Sequence, residues 1–550
     1  MAVAIDYMPE AYTTTGEKLM GRHAAGESFL RGLFAHHQSD RLWIRVGSRS
    51  HADHFVRAAR ASGRREPVHV IQSSNLQALA EPGVLQHPAP GIADLAYQRA
   101  VHGHARWSLC GVTHTTASNH VMDTLTDLLV APVQAWDALI CTSTAVRDSV
   151  TTVLDAQAEH LRRRFGASRM PMPRLPVIPL GLRVADFAWR DEDRAAARRA
   201  LGADDRTIVV TFLGRLSFHA KAHPLAMYLA LERARRATGA SVILVECGWH
   251  ANQPIADAYA QAAAEACPGI VVRTLDGRHA DERRTAWAAA DVFCSLSDNI
   301  QETFGCVPIE AMASGLPVVV SDWNGYKDTV RDGVDGFRIP TIAPQGGLSA
   351  DLAERHALAI DTYDMYCGQT CSLVAVDVDA AARAFATLFS SASLRQRMGQ
   401  AGRERARAVY DWGAIIPRYE ALWSELAEVR RCADGCDPAP ARHPWAARMD
   451  PFDAFAGYPT RMLTPATRLA LGWNDDGALL VRVLAHRRLS MVAFAERVLP
   501  SEPGIAAVLA ALADGPRLAG DLAPLLGGET YPAALRSLGW LLKVGALRAQ

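Results

Sequence analysis

The sequence predicts an α/β protein of two doubly wound, Rossmann-like domains in tandem, followed by a small, mostly helical module. Three observations carry this. Short β-rich runs alternate with helical stretches as far as about residue 183, and the same alternation returns in the next 230 or so residues. The composition changes after Arg431. Between the two changes, the stretch from Asn299 to Asp322 reads as loop, helix, stop and buried strand, the unit from which parallel sheets are assembled.

In the first segment, strands are expected at 3–6 (VAID), 42–47 (LWIRVG), 67–72 (PVHVIQ), 109–114 (LCGVTH), 138–143 (ALICTS) and 176–180 (PVIPL). Each is bounded by Gly, Pro or polar residues. The second segment repeats the theme at 207–214, 241–248, 270–277, 291–297, 316–322 and 335–340, with room for a helix between most pairs. The boundary falls near Pro179–Phe187, and a helical run from Trp412 to Arg430 closes the second domain. The insertion 343–369 carries few signals, and its conformation stays open.

After Arg431 an Ala/Pro/charge-rich linker leads to an expected strand at 477–485 and helices at 505–514, 518–526 and 532–547, a winged-helix-like pattern. The partition read from these signals is 1–183, 184–410, 411–430 and 431–550.

Composition excludes several classes. Lys plus Arg and Asp plus Glu are 58 each, so there is no global footprint for nucleic acid. Residues 431–550 hold 13 basic against 11 acidic side chains, which argues against DNA and for packing or a protein partner. Apolar runs are far shorter than the roughly 18 residues a membrane span needs. The first residues, MAVAIDYMPE, lack a basic start, so the expectation is a cytoplasmic protein. Ten cysteines, mostly in apolar contexts, are expected as free thiols; the pairs Cys367/Cys371 and Cys432/Cys436 have a spacing that zinc also uses, with nothing to bring them together. Arg162, Arg163, Arg164, Arg169 and Arg174, interleaved with Phe165, Met170 and Met172, form the one local basic patch. It is read as a solvated loop, with peripheral membrane contact as the alternative.

The stretch from Asn299 carries the chemistry. Glu302 and Glu310 stand eight positions apart with Gly305 between them. A helix starting near Phe304 or Gly305 offers free amides and a positive dipole end to an anion beside Glu302. Glu310, about two turns in, can accept hydrogen bonds from both hydroxyls of a ribose. Anion cradle and diol clamp together point to a nucleoside diphosphate, with Glu302 facing whatever hangs from its phosphates. Upstream, Arg215 and Lys221 follow directly on the first strand of the second segment, where they can neutralise such phosphates.

The pattern E-x7-E followed by AMASGLPVV resembles the donor-site signature of retaining glycosyltransferases of family 4, which have the GT-B fold; the likeness covers about residues 10–428. It implies a retaining hexosyltransferase that uses a UDP- or GDP-sugar and an unidentified acceptor (glycan, lipid, protein or small molecule), with the helix 412–430 packing back across both domains. It further implies that Glu302 orients the sugar, Glu310 the ribose, and Arg215 and Lys221 the phosphates, while the loop of Thr303, Phe304 and Gly305 completes the cradle. One extra residue separates Arg215 from Lys221 relative to the usual family spacing, so His219 or His223 is an alternative contact.

In the first domain the family has a glycine loop before its first helix, matched by Gly21, and a histidine facing the donor sugar, matched by His114 with His120 as rival. No metal cofactor is expected, because the two cations and the helix end already supply positive charge and Asp377-Val-Asp379 lies outside the motif. Alternatives are a nucleotide-sugar epimerase or hydrolase of the same fold, or a nucleotide-sugar-binding scaffold acting through residues 431–550.

Overall fold

The computed structural model describes residues 2–14, 21–433, 445–472, 477–527 and 530–550. They form two compact units, Met1–Trp445 and Ala446–Gln550.

The first unit holds two six-stranded parallel sheets. One comprises β1 (Ala4–Asp6), β2 (Leu42–Val46), β3 (Val68–Gln72), β4 (Val84–Gln86), β5 (Ser108–Val112) and β6 (Ala138–Ile140), in the order β3-β2-β1-β4-β5-β6. The other comprises β7 (Ile208–Leu213), β8 (Val242–Gly248), β9 (Val271–Asp276), β10 (Val292–Ser295), β11 (Val318–Ser321) and β12 (Gly336–Ile339), in the order β12-β11-β10-β7-β8-β9. Both are doubly wound. All seven residues of β8 are buried, as a strand covered on both faces by helices must be. The strand order reverses between β1 and β4 and between β7 and β10, and it is at the carboxyl ends of such neighbours that a crevice opens.

Two expectations about strands need correction. The run 176–180 forms no strand; Arg174 and Val177 make only isolated bridges to Ala138 and Cys141. Pro176 and Pro179 have no amide to give a ladder. Conversely β4, three residues long, is too short to show a period in the sequence, yet it sits in the middle of its sheet. The insertion is ordered as a two-stranded ribbon, β13 (Thr341–Ile342) against β14 (Ala375–Val376), with helices Ala350–Ala357 and Tyr363–Cys371 between.

The helix Trp412–Cys432 buries Trp412, Ile415, Ile416, Tyr419, Leu422, Trp423 and Leu426 along one stripe, within the same core as Phe29, Phe34 and Ile44 of the first domain. The chain crosses between domains where the Leu182 amide donates to the Tyr410 carbonyl (2.9 Å) and the Trp412 amide to the Leu182 carbonyl (3.1 Å). Trp412 itself is wedged in place: a Cβ on Gly32 or Gly181 would come within 2.3 or 2.6 Å of its ring, so both positions require glycine for close approach.

In the second unit, β15 (Arg468–Leu471), β16 (Arg517–Leu518) and β17 (Leu547–Ala549) make an antiparallel sheet in the order β16-β15-β17 beside the helices Leu479–Arg487, Glu502–Ala511 and Tyr531–Lys543. Leu479, Val483, Ile505, Val508, Leu538 and Leu541 fill its core. The expected strand at 477–485 is therefore a helix: its apolar run is short, and a short apolar run carries no period that separates the two. The expected helix at 532–547 stops at Lys543, and Leu547 opens β17. The run 518–526 is broken into two short turns.

The nine described cysteines are free thiols, and of these only Cys432 is exposed; Cys436 lies outside the described residues. Arg162, Arg163 and Arg164 occupy the last turn of the helix Thr144–Phe165, where cations complement the helix dipole. Arg162 and Arg163 also pair with Glu159, and Arg164 lies over the Phe165 ring. Among the described residues no helix is long and apolar enough to cross a membrane.

Candidate functional site

The site is built at the carboxyl ends of β7 and β10, the reversal point of the second sheet. β7 runs into Gly214, Arg215 and a turn ending at Lys221, whose amide donates to the Ser217 carbonyl (3.0 Å). That turn absorbs the extra residue. β10 runs into the loop that carries Asn299, Gln301 and Glu302. Side chains of this second loop seize successive carbonyls of the first: Asn299 Nδ2 to His219 (2.9 Å), Gln301 Nε2 to Ala220 (3.2 Å) and Ser297 Oγ to Lys221 (3.3 Å). The basic and acidic loops are thus one hydrogen-bonded piece.

At its centre Lys221 Nζ lies 2.6 Å from Glu302 Oε2, with the glutamate side chain only 7% exposed and the lysine 26%. Burial alone would push the Glu302 carboxyl up. The charge and hydrogen bond of Lys221, aided by the Thr303 and Phe304 amides, outweigh it and hold the carboxyl below the usual range. The Thr303 amide donates to Oε1 at 3.1 Å, and the buried Tyr326 hydroxyl stands 3.4 Å from Oε2. These loop amides, expected to face a phosphate, therefore serve the Glu302 carboxylate in this structure.

Gly305 caps the helix Cys306–Ala313 at φ 86°, ψ 74°, and a Cβ there would sit 2.1 Å from the Tyr326 ring. Both the left-handed backbone and the lack of space demand glycine. No side chain caps this helix end. Phe304 is buried against the Tyr410 ring at 6.1 Å. Glu310, partly buried in the second turn, has no hydrogen-bond partner among the described residues; burial pushes its carboxyl up to about 7 against the pull of Arg283 and Lys221. Arg283, which no sequence motif marks, is held by its own hydrogen bonds to the Gly277 and Arg278 carbonyls.

Arg215 is exposed on the rim, its guanidinium donating to the Ala220 carbonyl at 3.3 Å. His219 Nε2 lies 3.4 Å from Ser217 Oγ, and the His223 amide donates to the buried Asp298 (3.2 Å), so neither histidine takes the place of Lys221 beside Glu302. The helix Tyr363–Cys371 braces the turn: Cys371 Sγ lies 3.6 Å from the Phe218 carbonyl.

In the first domain His114 follows β5 by two residues, and its Nε2 donates to the Pro88 carbonyl at 2.9 Å. Burial lowers its pKa, with the charges of Arg22 and His23 acting in the same direction, so the ring is neutral and leaves Nδ1 as an acceptor. His120 is exposed on a helix beyond. Gly21 opens the helix Gly21–His36; a Cβ there meets nothing within 4 Å, and the preceding residues 15–20 lie outside the described ones. Asp377 caps its own helix through the Ala380 amide and Asp379 pairs with Arg233.

Sequence reasoning did not reach Ser143, Asn324, Tyr326 and Asp328. The fold brings Ser143, Asn324 and Tyr326 to the loop at Glu302, and Asp328 to the Thr144 amide beside it.

Residues 193–352 match the family model Glycosyl transferases group 1, a span that contains Arg215, Lys221, Glu302 and Glu310. The chain is 31% identical over 283 residues to a D-inositol 3-phosphate glycosyltransferase of Nocardia farcinica, covering 50% of this chain and 58% of that protein. It is 31% identical over 231 residues to a protein of the same name from Rhodococcus jostii, covering 39% and 49%. The chain thus spans about half the length of these curated relatives. Among solved structures, HepE of Anabaena in complex with UDP superposes with a TM-score of 0.50 at 16% identity, over 77% of this chain and 100% of that one, a likeness of fold. Residues 193–352 thus carry the likeness to the glycosyl transferases group 1 family, and the first unit has the GT-B fold of two Rossmann-like domains.

Proposed function

We propose that this protein is a retaining glycosyltransferase that moves a hexosyl unit from a UDP- or GDP-sugar to an acceptor hydroxyl. The observation that carries the reading is the Lys221–Glu302 pair, 2.6 Å apart, beside an uncapped helix end at the reversal point of the second sheet. A cation, a buried carboxylate and a helix N-terminus are the groups that a sugar diphosphate needs, and Glu310 lies in the second turn of that helix for the ribose diol. The name of the curated relatives supports glycosyl transfer, and the UDP held by HepE supports the donor class.

In this reading Arg215 swings from the Ala220 carbonyl to the diphosphate, and Lys221 shares its charge between phosphate and Glu302. As the bond from the anomeric carbon to the phosphate oxygen breaks, both cations and the helix end take up the growing negative charge. The acceptor oxygen bonds to the anomeric carbon from the same face and passes its proton to the leaving phosphate. Glu302 holds the sugar hydroxyls, and His114 offers Nδ1 from the opposite domain. The protein's own contribution is thus positioning and charge neutralisation, with no metal called for.

The test is nucleotide release from UDP- and GDP-sugars by the pure chain, with and without a cell extract as acceptor source. Release that depends on the extract supports transfer. Acceptor-independent turnover would point to the hydrolase or epimerase alternative, and failure to bind any nucleotide would overturn the reading.

A further inference from the structure

The loop that carries Glu302 is held from the other domain as well as its own. Ser143 stands three residues after the end of β6 of the first sheet and caps the helix Thr144–Phe165, accepting from the Val146 amide at 3.2 Å. Its hydroxyl donates across the domain boundary to the Thr303 carbonyl at 2.7 Å. The next amide, that of Thr144, donates to Asp328 Oδ2 of the second domain at 2.6 Å.

Asn324 completes the contact. Its Nδ2 donates to the Glu302 carbonyl, its Oδ1 lies 3.5 Å from the Ser143 hydroxyl, and its backbone is held at φ 45° to do both. Asp328 is anchored in turn: its carbonyl accepts from Arg405 (2.8 Å) and from the Tyr410 hydroxyl (3.1 Å). Tyr410 is the residue whose carbonyl receives the Leu182 amide at the crossing between domains.

These contacts have a direction. The carbonyls of Glu302 and Thr303 are both taken by anchoring groups, which fixes the peptide planes and leaves the Glu302 carboxylate turned toward Lys221. Ser143 is fully buried, so its hydroxyl depends on protein partners, and the Thr303 carbonyl is one of them. Arg215 and Glu310, by contrast, make no contact with the first domain among the described hydrogen bonds and ion pairs.

We propose that Ser143, the Thr144 amide and Asp328 form an interdomain latch that sets the position of Glu302 relative to the first domain, making Ser143 and Asp328 positioning residues for the reacting sugar. The proposal rests on the donor-site reading above for its link to turnover, and on the contacts alone for its link to loop order.

The experiment compares Ser143→Ala, Asp328→Ala and Asp328→Asn in the full chain. Asn keeps an acceptor oxygen for the Thr144 amide; Ala does not. Asp328 is only partly buried, so Asp328→Ala keeps the question answerable if Ser143→Ala does not fold. Hydrogen exchange is read first and needs no substrate: amides of 302–306 and 144–147 should exchange at least tenfold faster in both Ala variants and near the wild-type rate in Asp328→Asn. Nucleotide release from UDP-glucose and GDP-mannose is read second, with UDP and GDP affinity by calorimetry. The latch predicts a tenfold or greater loss of kcat with affinity changed less than threefold, restored in Asp328→Asn.

Unchanged exchange in the Ala variants overturns the latch. So does a loss of affinity that matches the loss of kcat, since the contact would then build the nucleotide site itself. A wild-type chain that binds neither nucleotide removes the donor-site reading and leaves the exchange result to decide the latch.

Discussion

Lys221→Met removes the cation from the most buried ion pair of the site while keeping most of the side-chain volume. Glu302 then loses a hydrogen bond of 2.6 Å to a charged donor and stays 7% exposed, with the Thr303 and Phe304 amides and the distant Tyr326 hydroxyl as its remaining partners. Breaking a buried pair on one side costs about 3–5 kcal/mol, and losing a charge-assisted hydrogen bond about 1.5–3 kcal/mol. Because the lysine keeps some solvent contact, the lower range applies, about 2–3 kcal/mol. For a domain of this size that is a fall in Tm of about 5–10 °C at pH 7.5.

The pH dependence separates this from a packing defect. In the wild type the Glu302 pKa is lowered by folding, so its contribution to stability is present above the unfolded value and is lost as the pH falls through the folded one. In the variant, burial without Lys221 raises the pKa, so the carboxyl takes a proton as the pH is lowered toward the unfolded value and the destabilisation shrinks. The measurement is thermal melting of wild type, Lys221→Met and the double variant Lys221→Met/Glu302→Gln at pH 5 and 7.5. The double variant, with no buried charge left, should recover most of the loss at pH 7.5. A gap between wild type and Lys221→Met that is the same at both pH values, or absent, refutes the argument.

The other expectations are simpler. Arg215→Ala and Glu310→Ala should each weaken nucleoside diphosphate binding by about 1.5–3 kcal/mol in calorimetry. Because Glu310 titrates near 7 in the free protein and must be ionised to accept from both ribose hydroxyls, wild-type affinity should also rise between pH 6 and 8, a trend that Glu310→Gln abolishes. Gly305→Ala places a methyl where the Tyr326 ring stands and forces a left-handed backbone, so it should fold poorly or melt well below the wild type; adding Tyr326→Ala should relieve only the steric part. Turnover should survive EDTA, and a complete loss restored by magnesium or manganese would contradict the charge assignment. A chain ending at Trp445 should keep nucleotide binding and lose transfer to the native acceptor, since every donor motif lies before it and residues 446–550 form a unit with its own core.

How much of this was legible in the sequence follows from which signals are local. The strands of the second sheet were readable because most are short β-rich runs bounded by Gly, Pro or polar residues, as in β8, where burial on both faces selects apolar residues at most positions. Glu302, Gly305 and Glu310 were readable because one loop and one helix fix their spacing, and Gly305 is pinned by backbone geometry that only glycine adopts without strain. The strand expected at 176–180 failed for the opposite reason: its prolines were outweighed by its apolar residues, although a ladder needs the amides that prolines lack.

The partners of Glu302 lay out of reach for a further reason. Lys221 is 81 residues away, Tyr326 is 24 residues on, and Ser143 belongs to the other domain, so their meeting is a property of the strand order of the second sheet and of the contact between domains. The carboxylate was therefore predictable as a residue, but its ionisation was not. That depends on a burial that raises the pKa and on a cation that lowers it further, and the balance is set only once β7 and β10 lie side by side at Val210 and Val292. The chemistry of Glu302 is thus written in the strand order as much as in the motif that announces it.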